Sequence, residues 1–536
     1  MQAVLTDHPS APVVPPAEDI ALCDLVRARS VELGERTYVA HARAERSLSF
    51  RQLETSMERW RSLLEGPYSR GLTTIGLLVS DPLAFADVFL GAISAGFWVA
   101  PLDPSLPVGG SGGLAVTLER TGVDLVLADH PAPTGIDGEW IELDRLDRLE
   151  DGRVTRPGST APRRASAGGV ILSSSGTTGT PKIARLHQAQ LLHTARGVAT
   201  HLELGPDECG FNPLPLFHIN AEVVGLLSAL VAGSSLVLDD RFHRSGFWDL
   251  MARRGITWIN AVPAIVSRLG TLRPGESVPP AIRFIRSASA PLPVAVADQF
   301  EAATGIPVIE TYGMTEAASQ ITAHPLGVPR RAGSVGQPVG VELRIIRAAA
   351  PLGSSLEAPE FHIGHVEIRG ASVIDHYVGH THQDRFHPDG WLRTGDLGHR
   401  DADGFVYLDA RTDDVINRGG EKVLPREVEE AIGADPMVAA VAVVGRDDAE
   451  LGQVPVAYVV LEADDSADAV EAPDGAVVAE ETAERIAKLI ERDLVRAKRP
   501  VALRVVASMP AGATGKVKRR LLGTPEVPVL YDFDLR

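Results

Sequence analysis

Short apolar runs rich in Val, Ile and Leu alternate along the chain with longer stretches of helical spacing. Residues 74–79, 125–128, 170–172, 235–238 and 257–259 are runs of this kind. Strands buried on both faces have this composition, and helix-length segments between them predict a layered α/β architecture. Two further apolar segments, 88–100 and 223–232, are too short to cross a bilayer and are bounded by Asp87, Pro101, Glu222 and Gly233. They are expected as buried helices. No internal repeat is visible.

The pattern changes late in the chain. Residues 401–404, Asp413, Asp414, Gly419 and Gly420 crowd turn formers around short strands expected at 405–408 and 415–416. Beyond them, 426–432 and 483–495 read as helices and 438–444 and 454–461 as strands. A small α+β domain is predicted there, after a boundary near Arg411. Residues 152–167, rich in Pro, Ser, Arg and Gly, are expected as an exposed loop, and the acidic, Ala-rich residues 462–481 as a solvated one. Residues 1–20 carry Pro9, Pro12, Pro15 and Pro16 but no basic start followed by an apolar stretch. They are expected to form a loose arm rather than a signal peptide.

Composition narrows the classes of function. A chain of 536 residues can hold several compact units, and 44% hydrophobic with 23% charged residues is ordinary for a folded soluble protein. The net charge of -18 disfavours any general attraction to nucleic acid or anionic lipid. An anionic ligand must then be held by local groups. Cys23 and Cys209 lie far apart with no CxxC or Cys/His spacing, so neither a disulfide framework nor a zinc site is indicated. A reducing, cytoplasmic setting is expected.

Four segments carry the chemistry. The first runs Ser173-Ser174-Ser175-Gly176-Thr177-Thr178-Gly179-Thr180-Pro181-Lys182, after an apolar strand. Its small residues and hydroxyls can wrap phosphate oxygens while the lysine supplies charge, although it lacks the Gly-Lys-Ser/Thr of a Walker loop. The second is Glu310-Thr311-Tyr312-Gly313-Met314-Thr315-Glu316. A tyrosine face can lie against a purine, and Thr315 with Glu316 can offer oxygens to magnesium. The third contains Gly395-Asp396 and, after the turn Asp403-Gly404, Arg411-Thr412-Asp413-Asp414. A carboxylate such as Asp396 can accept from both ribose hydroxyls, and an arginine can fork onto phosphate. The fourth is Ala513-Thr514-Gly515-Lys516, where a turn presents a lysine.

In this order, and spread from Ser173 to Lys516, the four segments resemble the adenylate-forming superfamily of acyl-CoA synthetases, 4-coumarate-CoA ligase, luciferase and adenylation domains. The resemblance implies a large N-terminal α/β domain (21–410), a hinge (411–414) and a small mobile C-terminal α+β domain (415–536). It further implies that Ser174, Ser175, Gly176, Thr177, Thr178 and Gly179 with Lys182 hold ATP phosphates, and that Thr311 and Tyr312 line the nucleotide site. Thr315 and Glu316 would face the α-phosphate and Mg2+, Asp396 and Arg411 the ribose or phosphate, and Lys516 both the attacking carboxylate and the α-phosphate. Asp413 matches the hinge, and Gly419 with Gly420 the lining of a thiol tunnel. His218, Asn220, Glu222, Ala288, Ala290, Gly313 and Ala317 would form the acid pocket, where Glu222 could meet a substrate amine or point to solvent. The sequence departs from the pattern at Ile183, Ala184 and Ala410, where glycine is common, so altered loop mobility is expected there.

A carboxylate is a poor acyl donor, so ATP would turn it into an acyl-AMP with loss of pyrophosphate, and a thiol would then take the acyl group. The expected co-substrates are ATP with Mg2+, coenzyme A and a small carboxylic acid. A carrier-protein thiol or another nucleophile is the alternative acceptor, and a monomer or homodimer is expected. Gly109-Gly110-Ser111-Gly112-Gly113 satisfies the GxSxG pattern, but it sits in a Pro/Gly-rich stretch with no preceding strand and is set aside as a nucleophile.

Overall fold

The computed structural model describes residues 21–65, 73–110, 113–144, 168–174, 182–350, 352–461, 475–512 and 516–535. The expected N-terminal arm, Ser111 and Gly112, the loop at 152–167, Ser175 to Pro181 of the phosphate segment and Ala513 to Gly515 lie outside these residues.

Among the described residues, two broad sheets share one apolar core. The larger runs in the order Gln337–Pro338, Ser319–Ala323, Val308–Met314, Phe284–Ser287, Trp258–Ala261, Cys209–Asn212, Ser235–Leu238, Thr37–His41 and Ser47–Ser49. Its central strands are parallel. The other runs Glu139–Glu142, Leu125–Ala128, Thr74–Leu78, Trp98–Pro101, Gly169–Ser174 and Lys182–His187. Between the layers lies the helix Pro82–Ser94, whose residues are nearly all buried; Asp81 caps it by accepting from the Ala84 N–H at 2.8 Å, and Pro82 sits at its first turn. An apolar helix buried all round needs no polar face, which is why its sequence shows little periodicity. The expectation of one helix over 88–100 is corrected: the chain turns at Gly96, where φ is +85°, and Trp98–Pro101 is a strand.

A four-stranded antiparallel sheet follows, Glu342–Arg347, Gly364–Arg369, Leu392–Arg400 and Val406–Arg411. After it, the strands Ile416–Arg418, Glu421–Val423, Val438–Asp448, Gly452–Leu461, Ala502–Val506 and Val529–Asp534 form a separate mixed sheet with its own apolar clusters. The helices Pro425–Gly433 and Gly475–Asp493 pack on it through Val428, Ile432, Ala479, Ala483, Ile486 and Ile490. The solvated loop expected at 462–481 is therefore corrected in its second half. There Ala479 falls on the buried side of a helix and Glu480 and Glu481 on the exposed side.

The segment 223–232 is helical, but not uniformly. Asn220–Leu227 is a π-helix, and an ordinary α-helical turn, Ser228–Ala232, follows. π-Helices are rare and occur mostly at functional sites. This one is buried throughout.

Candidate active site

The strand Val308–Met314 runs out of the large sheet's core, becomes partly exposed at Tyr312, and passes into the short 3-10 turn Thr315–Ala317. The chain reverses there, with Ala318 and Ser319 at φ of +53° and +94°, and returns as Ser319–Ala323. Non-glycine residues at positive φ cost energy and persist where surrounding structure holds them, often at functional sites. The return strand comes so close that a Cβ on Gly313 would lie 1.6 Å from the Ser319 carbonyl oxygen. Only glycine fits.

The antiparallel sheet meets this turn. Asp396 and Arg411 are register partners on adjacent strands, which sets their side chains beside one another, and Arg411 Nε lies 3.3 Å from Asp396 Oδ1. Asp396 Oδ2 accepts from the Tyr312 hydroxyl at 2.5 Å. Burial and then Asp396 push the Tyr312 phenol well above its usual pKa, so it stays a donor. Burial opposes the Arg411 charge, but Asp396 and Tyr312 more than offset this and hold the guanidinium protonated.

Lys516 arrives from the C-terminal unit. Loss of water and the Arg411 cation hold its ammonium below the ordinary lysine value, while Asp396 and Asp414 act against that shift. Chain segments about a hundred residues apart thus meet in one electrostatic cluster.

Glu316 forms the other side. It is buried, and its Oε1 accepts from the Tyr377 hydroxyl at 2.5 Å, which in turn accepts from Arg385 Nη1 at 2.8 Å. Lys182 Nζ lies 5.6 Å from the centre of the Tyr377 ring. Its pKa is lowered by burial and then by Arg385. Tyr377 and Arg385 escape sequence reasoning because no motif surrounds them; a tyrosine and an arginine eight residues apart in a Gly/His-rich stretch are the only signal. A buried carboxylate with a hydroxyl one residue away suits magnesium, which takes one or two carboxylates and completes its shell with water and substrate phosphate.

Around the expected acid pocket, His218 Nε2 is buried without a partner and the ring lies tilted against Phe217, centroids 4.6 Å apart. Burial lowers its pKa to about 4, so the imidazole is neutral at pH 7. Asn220 is buried, and Glu222 is wholly buried with both oxygens unpartnered. The expectation that Glu222 could point to solvent is thereby corrected; burial drives its pKa well up and keeps it protonated. Ala288 is buried and Ala290 half-buried at the end of Phe284–Ser287, and Ser289 between them has φ of +74°. Ala317 packs instead into the apolar cluster of the antiparallel sheet. The Thr311 hydroxyl donates to the Ser287 carbonyl at 3.0 Å. Gly419 and Gly420, both at positive φ, form the two-residue hairpin turn between Ile416–Arg418 and Glu421–Val423. Asp413 lies exposed in the short 3-10 turn Thr412–Asp414.

Residues 27–378 match the model of the AMP-binding enzyme family, and residues 427–516 that of the AMP-binding enzyme C-terminal domain. The chain belongs to the AMP-binding enzyme family. The sulfoacetate–CoA ligase of Cupriavidus necator is 40% identical over 362 residues, covering 67% of each chain. A probable CoA ligase of Humulus lupulus is 30% identical over 539 residues, 94% of this chain and 96% of its own. The oxalate–CoA ligase of Arabidopsis thaliana is 33% identical over 66% of this chain and 67% of its own. Among solved structures, the o-succinylbenzoate CoA synthetase of Bacillus subtilis bound to ATP and magnesium superposes with a TM-score of 0.78 at 25% identity, covering 93% of this chain and 98% of that one. Family and fold class agree with the expectation from the four segments. Among the described residues, no helix is long and apolar enough to cross a membrane.

Proposed function

We propose that this cleft activates a small carboxylic acid with ATP and then transfers the acyl group to coenzyme A. The observation that carries the reading is the meeting of Tyr312, Asp396, Arg411 and Lys516, drawn from three separate chain segments, with Lys182 feeling the charges of both Glu316 and Arg411 beside them.

An acid oxygen attacks the α-phosphorus of ATP, a P–O bond forms, and the bond to pyrophosphate breaks. Displacement at phosphorus depends on position and charge neutralisation rather than on a covalent nucleophile. Lys516 serves this step by lying between two anions that must approach each other, while Lys182 and the segment from Ser174 to Gly179 hold the departing phosphates. Asp396 takes the ribose hydroxyls, Arg411 locks its orientation, and Tyr312 backs the adenine. Thr315 and Glu316 would hold magnesium, which would supply Lewis-acid charge to the phosphates when bound. In the second step the CoA thiolate attacks the acyl carbon, and AMP leaves with the bonding electrons. The neutral, unpartnered His218 is suited to stand at that acyl carbon without repelling or pairing with a charge. The Gly419–Gly420 turn lines the thiol's approach, and Asp413 is the pivot that brings it in.

The CoA acceptor is favoured over a carrier-protein thiol because the compared relatives are CoA ligases. Two free cysteines suit a cytoplasmic location. Incubation with ATP, magnesium, CoA and a panel of small acids should give an acyl-CoA detectable by mass. Acyl-AMP accumulation that CoA does not relieve would favour the carrier-protein reading.

A further inference from the structure

Arg286 stands in the middle of the strand Phe284–Ser287 and is 1% exposed. Among the described residues no carboxylate pairs with it. Its partners are amide oxygens: Asn220 Oδ1 at 2.9 Å and Asn260 Oδ1 at 3.1 Å from Nη1, and Gln320 Oε1 at 3.3 Å from Nε and 3.2 Å from Nη2. Asn260 Nδ2 is itself spent on Asn212 Oδ1 at 2.9 Å. The Asn220 Nδ2 and Gln320 Nε2 groups are buried and bond to nothing.

Donors outnumber acceptors here. A guanidinium has five N–H groups and each primary amide two, against one oxygen per amide. Rotating either amide to satisfy its N–H groups would take an oxygen from Arg286, so the excess cannot be removed from within. The cluster is buried, cationic and short of acceptors, and buried charge without a partner is strongly unfavourable. An anion would supply the acceptors that the amides cannot.

The cluster adjoins the acid pocket. Gln320 is the register partner of Gly313, Asn220 is two residues from His218, and Arg286 is two residues before Ala288. This inference rests on the acid-activation reading above. We infer that Arg286, with Asn220 and Gln320 as its swinging rim, receives a second anionic group on the acid, so that the substrate is a short acid bearing a carboxylate or sulfonate besides the carboxylate that is activated. Glu222, uncharged and on the same π-helix, leaves that positive charge uncompensated by the protein.

The test compares acid-dependent pyrophosphate release with sulfoacetate and succinate against methylsulfonylacetate and monomethyl succinate, which keep the shape and lose the second charge. The protein should prefer the dianions by about 100-fold or more in kcat/KM, because a site built to bond a polar group rejects the analogue that leaves it unpaired. Gln320→Glu places a carboxylate against Arg286 Nε and Nη2. It should raise the Tm and abolish the preference, since the anion site is then filled from within. Arg286→Met should lower the ratio of kcat/KM for dianions over monoanions about 100-fold. Equal use of both classes by the wild type, or an unchanged preference in Gln320→Glu, would overturn the inference. Silence with acids of either charge would instead overturn the acid-activation reading beneath it.

Discussion

Lys516 feels Arg411 and Asp396 before any substrate arrives, and that mixed field marks where two more anions are to be brought together. Replacing it with alanine removes a cation that the C-terminal unit brings to Asp396 and Arg411. Lys516→Ala should slow acyl-AMP formation by about 100- to 1000-fold, the scale of one preorganised electrostatic contact. Thioester formation from supplied acyl-AMP should fall far less; equal loss in both half-reactions would assign the lysine to both. Glu222 makes a second prediction at this scale. Its folded pKa lies above the ordinary glutamate value, so it stabilises the fold while pH is below that ordinary value and loses that contribution as pH rises through the folded one. Glu222→Gln keeps the shape without the ionisation, so its Tm advantage over wild type should grow from about pH 5 upward. A Tm difference that does not change with pH would show that Glu222 is not held protonated.

Gly313 shows how an element rather than a residue fixes the position of Tyr312. Its strand and the return strand Ser319–Ala323 come together at a register shift between Tyr312 and Gly313, which turns the Tyr312 hydroxyl toward Asp396. Gly313→Ala should cost about 3 kcal/mol or more, because the methyl would meet backbone that cannot yield. Urea unfolding measures it, and a loss below about 1 kcal/mol would mean that the strands separate freely. Elements of this sort were unevenly legible in the sequence. Residues 125–128 and 235–238 coincide with strands because both faces are buried and the apolar run has no competing period. The π-helix Asn220–Leu227 reads only as a helix, since its widened turn comes from packing, not composition. Arg286 carried one overlooked signal, a charge inside Phe-Ile-Arg-Ser, where a buried strand should have none. Tyr312, Asp396, Arg411 and Lys516 were legible as types, but their meeting depends on the register of Leu392–Arg400 with Val406–Arg411.

At the scale of the whole molecule, the C-terminal unit meets the rest through polar contacts at Arg426 and Lys516 among the described residues. Arg426 donates to the carbonyls of Leu408 and Gly333, and the electrostatic cluster at Lys516 adds to these. The exposed turn Thr412–Asp414 lies between extended residues, Arg411 with ψ of 143° and Val415 with ψ of 123°. On the proposed mechanism the unit turns about this segment, exchanging Lys516 for the Gly419–Gly420 hairpin. Asp413→Pro fixes one dihedral there. It should leave acid-dependent pyrophosphate release within about threefold and slow CoA-dependent product formation at least about tenfold; a parallel loss of both with a lowered Tm would mean that Asp413 only supports a turn.

That the cleft joins an acid to AMP before any thiol is present is tested most directly by isotope exchange between labelled pyrophosphate and ATP. With a suitable acid and no CoA, label should enter ATP at a rate that saturates with the acid. Exchange that appears only when CoA is added, or none with any acid tried, would contradict the account.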